Sequence, residues 1–223
     1  MDQVDLPAAD HRAALASLAR LNWFSRSGQI LAGPIRQTAA MHTGSRPLRV
    51  LDLACGGGDV LLSLARQMQR LGRKIEWTGL DISEVAVAHA REQVRRLDLP
   101  VEFIQADVLH GDWPRNCDVV MCSLFLHHLD ETQALALLTR MGSEARQQVL
   151  INDLKRSRIG YVLAQAACRL LSRSSVVHYD GPVSVAGAFT IAEVQALAEQ
   201  ADLRQAKVES RWPQRWLLDW RRA

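Results

Sequence analysis

Leu48-Arg49-Val50-Leu51-Asp52-Leu53-Ala54-Cys55-Gly56-Gly57-Gly58-Asp59-Val60-Leu61-Leu62 is the stretch that decides the architecture of this chain. Residues 48 to 53 are mostly apolar, as in a strand covered on both faces, and the turn Ala54 to Gly58 follows directly. From Asp59 to Leu71 the residues Leu61, Leu62, Leu64, Ala65, Met68 and Leu71 keep the spacing of a helix face, and Gly72 supplies the stop. A strand entering a helix through glycines lets a ligand approach the backbone closely and offers it the free N–H groups of the helix start. A dinucleotide turn requires G-x-G-x-x-G. Counting from Gly56 and Gly58 puts Leu61 at the third glycine, and the acid Asp52 stands just before the turn. That combination argues against NAD and suits a ligand carrying a cation and an amino group, whose hydrogens a carboxylate can accept.

Working outward, the same alternation repeats. Ile75 to Asp81 reads as a second strand, followed by a helix that Ser83 can cap and that ends near Leu97, closed by Pro100. Strands are expected at Val101 to Ile104, Cys117 to Cys122 and Gln148 to Ile151, with a helix between the last two started by the capping pair Asp130 and Gln133 and ending at Gly142. After an apolar helix from Ile159 to Leu171, the stretch Ser172 to Phe189 reads as irregular and longer than a connection requires, as a lid or binding loop would be. Thr190 and Glu193 start another capped helix, and Arg204 to Leu218 holds two strands around a turn at Pro213. Upstream, Ala13 to Leu21 and Gly28 to Met41 read as helices, the second kinked or broken at Gly33-Pro34, packing over the site or the sheet edge. The expectation is an α/β protein with a seven-stranded, mostly parallel sheet and helices on both faces. It is read as a single domain, 1–223, divided into an N-terminal helical extension (1–45), a core (46–153), an insertion (154–189) and a C-terminal helix and strands (190–223).

Composition narrows the function classes. With 223 residues, 48% apolar and 23% charged, the chain can bury a substantial core, and no apolar stretch approaches the roughly 20 residues that span a bilayer. The start Met1-Asp2-Gln3-Val4-Asp5 lacks the bases and apolar run of an export signal, so the cytoplasm is the expected compartment. Cys55, Cys117, Cys122 and Cys168 form no CxxC pair and have no histidines at metal-finger spacing, which reads as free thiols with no structural metal. A net charge of +3 is too weak a field to argue for nucleic acid. From Arg204 onward, basic residues interleave with Trp212, Trp216 and Trp220; this suits peripheral contact with a membrane surface or an anionic partner, or aromatic packing onto the domain.

Asp52 to Gly58 has the form D-x-x-x-G-x-G, and in this the chain resembles the class I S-adenosylmethionine-dependent methyltransferases, with a Rossmann-like seven-stranded sheet. The resemblance covers residues 48 to 153, with a looser likeness to the small-molecule branch beyond. It implies a donor site for S-adenosylmethionine, with S-adenosylhomocysteine as product, formed by Asp52, Ala54, Cys55, Gly56, Gly58, Asp81, Ile82, Asp107, Val108 and Ser123. Asp81, in Gly79-Leu80-Asp81-Ile82-Ser83, matches the acid on the ribose hydroxyls. Asp107 matches the acid near the adenine amino group, with Val108 or Ile82 to sandwich the ring. Each residue also has a plain structural reading, as a tight turn, a helix cap or a turn aspartate.

The fourth strand ends in Ser123-Leu124-Phe125-Leu126-His127-His128, without the Asn/Asp-Pro-Pro-aromatic tetrapeptide of amino-methylating DNA enzymes. Such a Leu-His-His run borders the methyl-transfer site in the small-molecule branch, so His127 or His128 is a candidate base. In extended backbone the two would point to opposite sides, leaving one of them to face the acceptor. Asp153 at the end of the core and Arg156, His178 and Tyr179 in the insertion form another concentration of polar groups, with His178 a candidate base and Asp153, Arg156 and Tyr179 candidates for acceptor binding. Asn152-Asp153 resembles part of the magnesium site of catechol methyltransferases, but Ser123 to Leu129 holds no partner carboxylate, so no metal is assigned. The expected activity is methylation of oxygen or carbon on a small, largely apolar acceptor, phenolic, polyketide-like or a quinone precursor. Protein or RNA methylation and a non-catalytic partner module are the alternatives, and the oligomeric state stays open.

Overall fold

The computed structural model describes residues 27–43, 45–171 and 175–222. The expected helix at Ala13 to Leu21 lies outside them. The strands are β1 (Leu48–Leu53), β2 (Ile75–Asp81), β3 (Val101–Gln105), β4 (Val119–Ser123), β5 (Gln148–Leu154), β6 (Lys207–Arg211) and β7 (Arg215–Arg221). The helices are α1 (Ser27–Met41), α2 (Asp59–Arg70), α3 (Glu84–Leu97), α4 (Glu131–Glu144), α5 (Arg158–Leu171), α6 (Ser175–Gly187) and α7 (Ile191–Gln200). The sheet order is β3-β2-β1-β4-β5-β7-β6. Strands β1 to β5 pair in parallel, and β7 runs antiparallel to both β5 and β6.

The period-two alternation of the strands sorts their side chains to two cores. Leu51, Leu53, Val120, Cys122, Val149, Ile151, Trp216 and Leu218 meet α4 and α7 on one face. Leu48, Val50, Trp77, Phe103, Met121, Leu150 and Leu217 meet α1, α2 and α3 on the other. The chain winds outward in opposite directions from β1 and β4, so their connections diverge and a crevice opens beyond their carboxyl ends, where open α/β sheets bind ligands. The capping signals hold. Ser83 Oγ accepts from Ala86 N, and both capping boxes, Asp130 with Gln133 and Thr190 with Glu193, are formed.

Several expectations are corrected. The helix α1 runs unbroken through Pro34 and lies on the α2, β5 and β7 side of the sheet rather than over its edge. An interior proline costs about 3 kcal/mol, whereas Leu31 and Ile35, both fully buried, return about 1.5–3 kcal/mol each. Residues 175–187, part of the stretch read as an irregular lid or loop, form α6 despite the Gly181-Pro182 step. Gly181 serves close helix packing there, since a Cβ would lie 2.2 Å from Cys168 Sγ on α5. The stretch Leu126–His128 is a 3-10 turn rather than extended chain. At the C-terminal end Trp216 and Trp220 are buried in the core, and only Trp212 of that trio is exposed.

Candidate active site at the carboxyl ends of the central strands

β1 ends in a turn that the sequence can close only with glycine at one position. Ala54, Gly56 and Gly58 all have positive φ, of 51°, 54° and 77°. A Cβ on Gly58 would come 2.5 Å from Phe103 Cζ, so this residue meets both a conformational and a steric demand. Around Gly56 no atom lies within 4 Å of an added Cβ, which leaves its surface open to a ligand. The backbone N–H of Gly56 donates to Asp81 Oδ2 at 2.7 Å, and Ser83 N donates to Asp81 Oδ1 at 2.9 Å. Asp81 therefore clamps the glycine turn to the start of α3, a task its sequence position does not reveal.

Asp52, at the end of β1, is buried, and its Oδ1 has no hydrogen-bond partner. Burial pushes its carboxyl well above the usual range, and the charges of Asp59 and Asp81 push the same way. A buried orphan oxygen among three acids is complementary to a cationic, hydrogen-bonding ligand, such as one bearing an ammonium and a sulfonium. Cys55 sits half-buried at the turn with its thiol pushed up, chiefly by burial, and its Sγ would lie 2.8 Å from a Cβ on Gly79. Asp107 shapes the next turn by accepting from Leu109 N at 2.8 Å and His110 N at 3.4 Å. Val108 is buried in the core with Trp113, so of the two apolar candidates for a ring contact Ile82 is the exposed one.

At the neighbouring strand ends a second buried carboxylate has the opposite environment. Asp153 Oδ1 lies 2.6 Å from His127 Nδ1, and Oδ2 accepts from His127 N at 3.1 Å. Leu154 N donates to Oδ1 at 2.6 Å. Burial pushes the Asp153 carboxyl up, but the charge and hydrogen bond of His127 and the N–H groups of Leu154 and His127 outweigh it and hold it below the usual range. An ionised acceptor at Nδ1 places a hydrogen on that nitrogen, so in the neutral form of the ring the lone pair lies on Nε2. The ring of His128 tilts against that of His127, centroids 4.1 Å apart, and His128 is exposed. The 3-10 turn, rather than a strand, brings these rings side by side.

The remaining candidates divide. Ser123 Oγ accepts from Asn152 Nδ2 at 3.1 Å, while Asn152 Oδ1, also buried, has no partner. Asp153 is committed to His127 and so positions that ring. Arg156 leaves for Glu193 of the α7 capping box, forming an ion pair on the surface. His178 is half-buried on α6, whereas Tyr179 is 73% exposed. The far end of α6 does reach the site, since a Cβ on Gly187 would lie 3.2 Å from the His127 carbonyl oxygen. Sequence reading misses Arg215, a buried guanidinium on β7 whose pKa burial lowers to about 10 against the charge of Asp153. Only the β5–β7 register, Leu154 opposite Arg215, removes it from the solvated basic run it resembles in sequence. Two clefts of about 490 and 170 Å³ open elsewhere, around Arg140 and Arg146 and around Arg49 and Thr78, and contain no residue of either carboxylate cluster.

Residues 50–147 match the family described as methyltransferase domain. The chain is 29% identical over 159 residues to a ubiquinone biosynthesis O-methyltransferase of Methylococcus capsulatus, a match that covers 68% of this chain and 64% of that protein. A protein of the same description from Alkalilimnicola ehrlichii is also 29% identical, over 70% of this chain and 64% of its own length. The chain thus spans less than two thirds of these curated relatives. Among solved structures, the plantazolicin methyltransferase BpumL, in complex with a triazolic desmethylPZN analog and SAH, superposes with a TM-score of 0.69 at 16% identity, over 93% of this chain and 89% of that one. Magnesium protoporphyrin IX methyltransferase from Synechocystis, with bound SAH, superposes at 0.60 and 17% identity, over 89% and 85% of the two chains. At these identities the superpositions establish the fold.

Proposed function

We propose that this chain, a class I S-adenosylmethionine-dependent methyltransferase by its glycine turn, strand order and domain match, methylates an oxygen of a small, largely apolar acceptor of phenolic or quinone-precursor type. The observation that carries the acceptor chemistry is the 2.6 Å contact between His127 Nδ1 and Asp153 Oδ1 at the β4 and β5 ends. When bound, S-adenosylmethionine supplies a methyl carbon on a positively charged sulfur; transfer to an acceptor oxygen breaks the carbon–sulfur bond, releases S-adenosylhomocysteine and leaves one proton to be removed.

Asp52 supplies a buried carboxylate oxygen for the donor's ammonium, and Gly56 and Gly58 keep the turn open beside it. Asp81 would hold the ribose hydroxyls, and Ile82 and Asp107 would border the adenine. His127 Nε2 takes the acceptor's hydroxyl proton and passes it to water, while Asp153 fixes the tautomer and balances the imidazolium that forms. Alignment and exclusion of water supply much of the remaining rate, because a phenolate is already a good nucleophile. The core 46–153 holds the donor, and 154–189 caps the acceptor through α5 and α6. We assign the protein to the cytoplasm; among the described residues no single helix is long and apolar enough to cross a membrane.

Calorimetric titration with S-adenosylmethionine, S-adenosylhomocysteine and NAD tests the donor site, and methyl-labelled donor with a series of catechols and hydroquinones tests the acceptor. Binding of both adenosyl ligands, none of NAD, and label on oxygen are the expected results. Adenosyl binding with label on protein or RNA alone would overturn the acceptor assignment, and absence of adenosyl binding to folded protein would overturn the donor assignment.

A further inference from the structure

Arg215 differs from the other basic residues of the C-terminal strands. Arg204 pairs with Asp202, Arg211 with Glu209 and Arg221 with Asp219, each pair reaching water. Arg215, the first residue of β7, is only 5% exposed. Because β7 runs antiparallel to β5, its start stands at the carboxyl ends of the parallel strands, the edge that carries His127 and Asp153. There Leu154 lies opposite Arg215 and Asp153 opposite Trp216. Trp216 points into the core under α4 and α7, so Arg215 leaves the sheet on the other face, the one that Leu217 shares. It is thus one register position from Asp153, whose oxygens meet the His127 ring and accept from His127 N and Leu154 N.

The side chains of His127 and Asp153 are 6% and 1% exposed. An ionised Asp153 beside a neutral ring therefore leaves one negative charge out of water, which is costly when nothing balances it. Burial also opposes the Arg215 guanidinium, lowering its pKa to about 10, and the charge that works against this is that of Asp153. One buried cation and one buried anion cancel. The other titratable groups around the ring are Cys122 on β4, whose thiol is kept protonated by burial and then by the charge of Asp153, and His128, whose ring lies 4.1 Å from that of His127. On α6, which packs against the turn, His178, Tyr179 and Asp180 precede Gly187, the residue facing the His127 carbonyl, by seven positions or more, about two helical turns. Arg215 is the permanent cation of the group. We propose, resting on the reading of His127 as the base, that Arg215 is a positioning residue: its charge balances Asp153 and so keeps the His127 ring neutral, ready to take a proton from the acceptor hydroxyl. Without that cation the carboxylate would draw a proton from water onto the ring and fill the lone pair that the reaction needs. With it, the imidazolium formed in turnover meets a positive neighbour and returns its proton to water more readily.

The test follows the imidazole nitrogen signals by NMR across pH, assigned with His127→Gln. It uses the full chain without donor or acceptor, so the titration reads the charge balance even where the acceptor assignment fails. The natural chain is compared with Arg215→Met, with Arg215→Lys, and with Arg215→Met combined with Asp153→Asn, and circular dichroism checks that each is folded. The expected result is a His127 titration about one pH unit higher in Arg215→Met than in the natural chain, largely restored by Arg215→Lys and absent from the double variant. In turnover of a phenolic acceptor, the acid limb of the kcat profile should move upward with it in Arg215→Met, with activity recovering at high pH and KM changed less than about threefold. A defect of shape alone would lower kcat at every pH and leave the limb in place. A titration unmoved or moved down in Arg215→Met, or an equal shift in Arg215→Lys, overturns the proposal. Should Arg215→Met fail to fold, the double variant decides: its recovery supports the balanced charges, whereas its failure to fold as well overturns them.

Discussion

Asp52 and Asp153 end adjacent parts of one sheet, both nearly inaccessible to water, yet they are opposites. Asp52 has an oxygen without a partner and two acids for company, whereas Asp153 accepts from a histidine ring and two backbone N–H groups. One carboxylate is incomplete without a cation from outside the chain, and the other is completed by the chain itself. A buried acid lacking an internal partner marks where a ligand belongs, while a satisfied one marks a residue that holds another in place.

The strongest way to break this contrast is at the satisfied side. His127→Ala should lower kcat about 10²- to 10⁴-fold, the usual range for a lost general base, and leave the donor Kd within about threefold. Turnover independent of His127 across neutral pH would reassign the ring to structure. Next, Asp52→Asn should weaken donor binding by about 1.5–3 kcal/mol through loss of charge-assisted hydrogen bonds, while the melting temperature without donor stays level or rises, because a costly buried charge has gone. If that variant melts lower and binds donor normally, Asp52 is a structural acid after all. A smaller effect separates the glycines. Gly58→Ala should destabilise the fold by about 2 kcal/mol or more, against about 1 kcal/mol for Gly56→Ala, because only the former adds a clash with Phe103 to the left-handed strain.

The smallest effect is in the pH dependence of stability, and its sign differs for the two acids. The folded-state pKa of Asp52 is raised, so the folded chain holds the extra proton and Asp52 costs stability as pH climbs above its ordinary value of 3.8. The folded-state pKa of Asp153 is lowered, so its stabilisation is present above 3.8 and disappears as pH falls through the depressed value. Denaturant titrations from pH 4 to 8 should therefore show a flatter stability profile for Asp52→Asn than for the natural chain. An unchanged slope would mean that the unfilled carboxylate is hydrated.

The donor half is legible in the amino-acid sequence because its requirements are local. A strand, a turn of positive φ and a helix start lie within consecutive residues, and Asp52, Gly56 and Gly58 can be read off one line of sequence. Asp81 and Asp107 are recognisable by position, but the clamp from Asp81 to Gly56 N joins residues 25 apart and depends on the β1–β2 register. The acceptor half depends on longer-range placement. Asp153 can be noticed as an acid, but only the parallel pairing of β4 with β5 brings it under His127. Local turn chemistry misleads at Asp180-Gly181-Pro182, where the glycine answers to Cys168 on another helix. Pro34 likewise reads as a break until the buried face of α1 is weighed against it.

The position of β7 in the sheet has a consequence for how the protein is made. It lies between β5 and β6 but follows both in the chain. As the polypeptide leaves the ribosome, β6 emerges before β7, with which it pairs, and the hydrogen-bonding edge of β5 stays open until Arg215–Arg221 arrives. The wall that seats Trp216 opposite Asp153 therefore closes late in synthesis. A chain arrested before Arg215 would have the complete glycine turn but would lack the strand that stands opposite Asp153. Translation thus delivers the glycine turn well before the strand that walls in the Asp153–His127 pair.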